Sequence, residues 1–327
     1  MSEAVRLEVV TNLERLHESS ELWRPHAATP FHSPEWLLTW WRHFGSGNLH
    51  TVLLWHGETL VGMLPCFQHQ WQGATQLTLL GSGITDYVDP WVAADHAPCI
   101  AGHVLRGDWQ VCNWQDLSFA SPFLNRPIWQ GAAVEIQPEV SASAIQLEGS
   151  FENFWQRRSK DLRRNLRRYR DRAEQSGPLE FSVTHQPDPE LLDTLIRLHG
   201  LRWQKRGQTG MVEQNHSAAF LRDVSQAFAH GSDDANPILQ LFQLGWKGEI
   251  VAMSLGFAWR KRLYSYLSAF LPEHEILGFG RILLYESIRH IWAQGFTAWD
   301  FLRGEESYKT SWGAIAQPRY RLIVRRS

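Results

Sequence analysis

The sequence predicts an α/β protein built as two similar halves, each with a mixed central sheet flanked by helices. Three observations carry that expectation. Trp55-His56-Gly57-Glu58-Thr59-Leu60-Val61 matches Trp246-Lys247-Gly248-Glu249-Ile250-Val251-Ala252, each time with an apolar run before it and another after it, so x-Gly-Glu reads as a hairpin turn used twice. Apolar residues at Leu284, Tyr285, Ile288, Ile291 and Trp292 recur at helical spacing directly after Gly278-Phe279-Gly280-Arg281. That helix lies between two strand-like runs, Leu263–Phe270 and Ala298–Leu302. The second of these ends in the polar cluster Arg303-Gly304-Glu305-Glu306-Ser307-Tyr308-Lys309. In open α/β units ligands sit at such carboxyl ends of strands.

The remaining elements follow in order. Pro34–Phe44 reads as a helix, with Ser33 as cap and proline in its first turn. Thr51–Leu54 and Gln76–Leu80 read as strands, the latter running into Gly81-Ser82-Gly83. Phe151–Ala173 reads as one long helix with Phe151, Trp155, Leu162, Leu166, Tyr169 and Ala173 on a single stripe. Strand Leu179–Thr184, helices Glu190–Gln204 and Ser217–His230, and strands Leu239–Leu244 and Ile250–Phe257 complete the second half. The polar run Gln137-Pro138-Glu139-Val140-Ser141-Ala142-Ser143 predicts the boundary, giving domains 1–140 and 141–327.

At 327 residues, 43% apolar and 20% charged, the chain has room for two cores. No apolar run approaches membrane-spanning length, and the N-terminus lacks a secretion-signal pattern. Cys66, Cys99 and Cys112 form no CxxC, and read as reduced thiols of a cytoplasmic protein. There is no His-Glu-x-x-His, no Cys/His ligand spacing, no Gly-x-Ser-x-Gly and no Walker lysine, so no metal is expected. Net charge is −2, yet residues 157–172 hold nine basic side chains against Asp161 and Asp171. That stretch is a solvated face, a platform for an anionic partner such as a phosphorylated carrier or tRNA, or a membrane-surface contact. DNA is not an expected partner.

Hairpin, strand, glycine loop, helix and strand, in that order, resemble the GNAT acyltransferase fold. Asp300-Phe301-Leu302-Arg303-Gly304-Glu305-Glu306-Ser307-Tyr308-Lys309, Trp312-Gly313, Leu201-Arg202-Trp203, Arg206-Gly207 and Asp86-Tyr87 narrow the likeness. With them the chain resembles the acetyltransferase-like family associated with cellulose and exopolysaccharide biosynthesis (CelD type), tandem-GNAT relatives of the Fem aminoacyltransferases.

The resemblance implies acyl-CoA as co-substrate, its thioester arm inserted between splayed parallel strands near Leu267 and Asp300, and its diphosphate held by Gly278, Phe279, Gly280 and Arg281. Those glycines equally suit close helix–strand packing. The family places Arg or Gln three residues before Gly-x-Gly; here Glu275 stands there with Glu273 nearby, two carboxylates that repel a diphosphate and that Arg281 would offset.

By the same resemblance a small or carrier-bound amine or hydroxyl acceptor lies between the halves. Asp300 alternates with Trp299 and Phe301 and so faces away from their apolar side, into the cleft or solvent. Asp300 or Glu306 would orient or deprotonate the acceptor, and Tyr308 would protonate the departing thiolate. Arg303 and Lys309 would bind phosphate or carboxylate. Asp86, Tyr87, Arg202, Trp203, Arg206 and Tyr266 are candidates for substrate contact, against the plainer readings of loop formers and core aromatics. An ion-pair network closing the sheet is the structural alternative for the cluster after Asp300. A Fem-like aminoacyltransferase, or a non-catalytic accessory protein of polysaccharide assembly, are the other functions the chain admits.

Overall fold

The computed structural model describes residues 5–205, 207–208, 210, 216–229, 231–233 and 236–325. It divides into two compact units, residues 1–141 with 317–327, and residues 142–316. The polar run expected to form the boundary is not a linker: Ala133–Gln146 is one continuous strand, and the division falls within it. Residues 317–325 return to the first unit, where Arg319–Arg325 pair antiparallel with Ser118–Val111. Sequence proximity does not reveal such a return, because strand pairing joins residues about 200 positions apart.

In the first unit, Pro34–Phe44 is the expected helix, with Ser33 Oγ accepting from Trp36 N. Hairpin strands Thr51–His56 and Thr59–Leu64 pair with Arg6–Val10 on one side and Trp91–Val92 on the other. Strand Ala74–Leu79 meets Val111–Ser118 in parallel over only two residue pairs. The core gathers Val52, Leu54, Leu77, Leu79, Ile100, Val104, Trp114, Phe123 and Trp129, all almost fully buried.

The second unit repeats this scheme. Leu239–Trp246 and Glu249–Trp259 form the second hairpin, turning at Lys247 (φ 54°) and Gly248 (φ 80°). Left-handed conformation at both turn positions is what a two-residue hairpin of this twist requires, and glycine supplies it without strain. Leu179–Thr184 pairs with the first strand of this hairpin and Arg262–Phe270 with the second, both antiparallel. Helix Phe279–Ala293 then crosses over to Ala298–Arg303, which lies parallel to Arg262–Phe270. The helix buries Phe279, Ile282, Leu283, Ile288 and Ile291 on a core shared with Phe242, Leu263, Trp299 and Trp312.

The single helix expected over 151–173 is two, Phe151–Gln156 and Lys160–Glu174. Ser159 Oγ accepts from Leu162 N, starting the second helix afresh. Arg158, at the break, donates from Nη1 to Trp312 O (2.7 Å) and lies over the Phe154 ring. Two apolar stripes in phase look like one helix in a periodicity reading. The serine is the signal that separates them. No helix among the described residues is long and apolar enough to cross a membrane.

Candidate active site

Strands Arg262–Phe270 and Ala298–Arg303 pair at only three positions, the last being Tyr264 with Asp300. Beyond it they part. Each strand carries an irregularity near the fork. Leu255 opposes Leu267 while Gly256 opposes Ser265, so Tyr266 is an extra, bulged residue. On the other strand, register with residues 142–144 shifts between Asp300 and Arg303, and Leu302 takes φ 59°. Bulges bend and twist a strand locally, which turns both strands out of each other's hydrogen-bonding reach.

The opening is a cleft of about 300 Å³. Ser265, Ser268, Ala269 and Phe270 line one side; Trp299, Phe301, Ser307, Tyr308 and Trp312 line another. Ser254, Leu283, Leu284 and Ser287 close it, with Arg202, Glu275, Gly278, Phe279, Gly280 and Arg281 completing the wall.

At the helix start, Gly278 adopts φ 65°, and a Cβ there would come within 2.5 Å of the Tyr169 ring. Gly280 has ordinary φ, but a Cβ would stand 2.8 Å from Phe270 Cδ1. Both glycines therefore serve close packing, and the same closeness brings the helix N-terminus to the cleft wall. Gly278 N donates to Glu275 O and Arg281 N to Gly278 O. Phe279 and Gly280 N–H precede the helical ladder, so the macrodipole's positive end is directed by amides without helical acceptors. Phe279 itself is a core ring against Trp246, 5.4 Å between centroids. The Arg281 guanidinium lies over Tyr169. Glu275 is 3.2 Å from Lys205 Nζ, which offsets its repulsion toward an anion.

Arg202, Gly278, Phe279, Gly280, Arg281 and Tyr308 are thus brought together on one cleft. Tyr308 meets Phe301 edge-on at 5.7 Å. Although 37% of the residue is exposed, partial desolvation raises the phenol's pKa, the Glu306 carboxylate adds to the rise, and Arg202 partly opposes it. The hydroxyl is therefore a protonated donor throughout the neutral range.

Asp300 stands elsewhere. The cleft lies on the Trp299 and Phe301 side of the strand, and Asp300 points the other way, into neither cleft nor solvent. At 1% exposure its carboxylate accepts from Arg262 Nη1 at 3.0 Å and from Leu302 N at 2.8 Å. Lys309 is likewise turned into the protein. Its buried Nζ lies 3.0 Å from the Glu306 carboxylate and donates to Leu302 O, Arg303 O and Gly304 O, clamping the loop. Strand alternation located Asp300's side correctly but not the side on which the cleft opens.

Leu267 is buried and faces Leu255 across the sheet, leaving the cleft wall to its neighbours. Tyr266 packs against Phe257, and Trp203 Nε1 donates to His199 Nε2 (2.8 Å). Arg303 is half-buried in the loop that Lys309 holds. Asp86 and Tyr87 belong to the first unit, where Tyr87 is a core ring beneath Arg319, 4.5 Å away. Arg206 lies outside the described residues. The cleft residues that motif reading missed include its serines, Ser287 among them, and the rings of Phe270, Trp299 and Phe301. A polar residue on the apolar stripe of Leu283, Leu284, Ile288 and Ile291 was the available signal.

Residues 160–310 match the acetyltransferase (GNAT) domain family. The match covers 151 of the 327 residues, and is a likeness of this segment to that domain. Among solved structures, FemX superimposes with a TM-score of 0.66 at 8% identity, over 96% of each chain. The C-terminal domain of a putative lysylphosphatidylglycerol synthetase from Agrobacterium fabrum gives 0.59 at 13% identity, covering 95% of this chain and 91% of that one. L-PGS from Bacillus licheniformis gives 0.56 at 14%, covering 90% and 92%. At such identities the likeness is one of fold, and it spans both units. No curated protein matches the sequence.

Proposed function

We propose that the chain is an acyltransferase that moves an acyl group from acyl-CoA to an amine or hydroxyl acceptor. The observation that carries this reading is the fork after Tyr264 and Asp300, which leaves a cleft between parallel strands with a helix N-terminus on its wall. The thioester arm would lie in the fork. Phe279 and Gly280 amides, with Arg281 and Arg202, would meet the phosphates.

The acceptor attacks the thioester carbonyl directly, the C–S bond breaks, and the thiolate takes its proton from Tyr308. Tyr308 suits that task because its environment keeps it protonated. Glu306 is assigned the acceptor's proton: it too is ion-paired, with Lys309, but unlike the buried Asp300 it stays exposed to solvent, and it is close enough to Tyr308 to raise its pKa. The resemblance to the CelD-type family supports an acceptor from polysaccharide or cell-envelope synthesis.

Titration calorimetry with CoA tests the proposal. Micromolar binding is expected; the absence of binding would remove it. A second reading, aminoacyl transfer from a tRNA, draws on Glu275 at the cleft wall and on the exposed Arg164, Arg167 and Arg168 of helix Lys160–Glu174. Salt-sensitive tRNA binding together with silence toward CoA would select it.

A further inference from the structure

Helix Lys160–Glu174 carries more positive charge on its free face than the fold uses. Successive residues of an α-helix turn by about 100°, so Lys160, Arg164, Arg167 and Arg168 fall within a stripe about 100° wide. Leu162, Leu166, Tyr169 and Ala173 lie on the opposite side and pack into the core of the second unit. All four basic residues are exposed, as is Arg157 just before the helix. Arg164 meets Asp161 at 2.7 Å, and the other four make no ion pair among the described residues.

Folding does not account for this arrangement. The arginines that serve the fold are others: Arg158 is tied to Trp312 O, and Arg170 pairs with the buried Glu286. On the free face basic residues stand four apart, 160 with 164 and 164 with 168, and like charges at that spacing repel. A merely solvated helix gains by alternating the two signs there. Residues 157–172 instead set nine basic side chains against Asp161 and Asp171, in a chain whose net charge is −2.

Such a face fits an extended anionic partner, and an apolar side chain decides which kind. Ile276 is 70% exposed, and its carbonyl accepts from Arg172 Nη1 at 3.0 Å, so it stands beside the basic stripe. Polynucleotides are gripped by rings on which bases stack, and an aliphatic side chain offers them nothing. The rings of this helix region are not exposed; Tyr169 lies against Gly278 and beneath Arg281. At a bilayer, by contrast, an isoleucine enters the boundary between headgroups and acyl chains while arginines meet the lipid phosphates. Glu275, next to Ile276, is held by Lys205, which leaves Glu273 as the nearby exposed carboxylate set against the stripe.

We propose that the free face of helix Lys160–Glu174, together with Ile276, is a docking surface for an anionic lipid bilayer. The apolar side of the helix belongs to the core, so the contact is superficial: arginines on the headgroups, with one aliphatic side chain reaching deeper. Tyr169 joins the same helix to Gly278 and Arg281 of the cleft wall, so docking sets the cleft beside the bilayer. Docking of this kind is independent of which acyl donor the cleft takes.

Co-sedimentation of the full chain with lipid vesicles tests this. Vesicles of equal parts phosphatidylcholine and phosphatidylglycerol should bind the protein, less so as salt is raised, and vesicles of phosphatidylcholine alone should bind little. Each basic side chain near an anionic surface strengthens binding about fivefold, so Arg167→Gln with Arg168→Gln should weaken it about 25-fold. Lys160→Gln with Arg164→Gln, at the other end of the stripe, should behave alike. Ile276→Ser should weaken binding about fivefold through its lost apolar contact. All these side chains are exposed, so melting temperatures should stay unchanged, which separates lost docking from lost fold.

Equal binding to both kinds of vesicle, or to neither, overturns the docking surface. So does full binding by the arginine variants or by Ile276→Ser. Salt-sensitive binding of tRNA without binding to vesicles would assign the face to a polynucleotide and overturns it as well.

Discussion

Asp300 accepts the Leu302 N–H through Oδ1 at 2.8 Å, and so holds a residue two positions along its own strand at φ 59°. A leucine in the left-handed region costs about 1–2 kcal/mol unless its surroundings compensate. Compensation comes from this bond, from the Arg262 ion pair on the other carboxylate oxygen, and from Lys309 Nζ on Leu302 O. The irregularity that parts the two parallel strands thus depends on a carboxylate that does not face the cleft.

Asp300→Ala is accordingly expected to reduce folding stability by about 3 kcal/mol, because it leaves Arg262 without its buried partner and Leu302 without its restraint. Urea unfolding followed by tryptophan fluorescence measures this. An unchanged midpoint would show that the network does not hold the fork.

Tyr308→Phe keeps the ring against Phe301 and removes only the hydroxyl. Turnover should fall about a hundredfold with KM for the acyl donor nearly unchanged, as loss of a general acid requires. Because the phenol titrates only near 12, its loss from the protonated form should not shape the rate profile up to pH 10. A tyrosine-dependent limb near pH 8 would contradict its assignment as the acid.

The two glycines of the helix start should respond differently. Gly278→Ala forces a Cβ onto a residue at φ 65° and into the Tyr169 ring, so about 2 kcal/mol of stability should be lost. Gly280→Ala meets only the edge of Phe270. At ordinary φ it should cost less stability than Gly278→Ala while weakening CoA binding, as Phe270 is pressed into the cleft. Equal behaviour of the two variants would deny this division.

The first unit should lose stability in acid. Burial lowers the His32 pKa to about 3, with the charge of Arg319 adding, and lowers that of His50 to about 4, with His103 adding. In the unfolded chain both titrate near 6.5. Below that pH the unfolded state binds protons the folded state refuses, so stability falls as pH drops from about 6.5 toward 3. Above 6.5 these two residues contribute no slope. Melting temperatures between pH 7 and pH 4 should fall less steeply in His50→Gln than in the unaltered protein; parallel curves would contradict the assignment.

Much of the fold was legible in the residues. Strand alternation, the paired x-Gly-Glu turns and the helix after Gly278 rest on local periods of two and 3.6 residues and on turn chemistry, which neighbouring residues impose on each other. Ser159 shows the limit of period alone. Two short helices in phase carry the same stripe as one long helix, and the break was written only in a cap.

The candidate site was legible in part. Glycine-rich helix start and tyrosine loop are contiguous motifs, and Gly278, Gly280, Arg281 and Tyr308 do share a cleft. The roles of the charged residues were not readable, since charge at a strand end is equally a ligand or an internal clamp. Asp300 and Lys309 became clamps because Arg262, Leu302 and the 302–304 carbonyls surround them, partners set by strand register and loop closure.

By itself, then, the sequence determined which segments become strands and helices, and that the arrangement occurs twice. Those are near-neighbour properties of backbone and side chain. Only the tertiary structure decided which face of Ala298–Arg303 meets the cleft, how far the parallel strands stay joined, and that Asp300 and Lys309 turn inward. Such features follow from bulges, buried ion pairs and packing between distant segments, whose free energies depend on contacts that sequence order does not display.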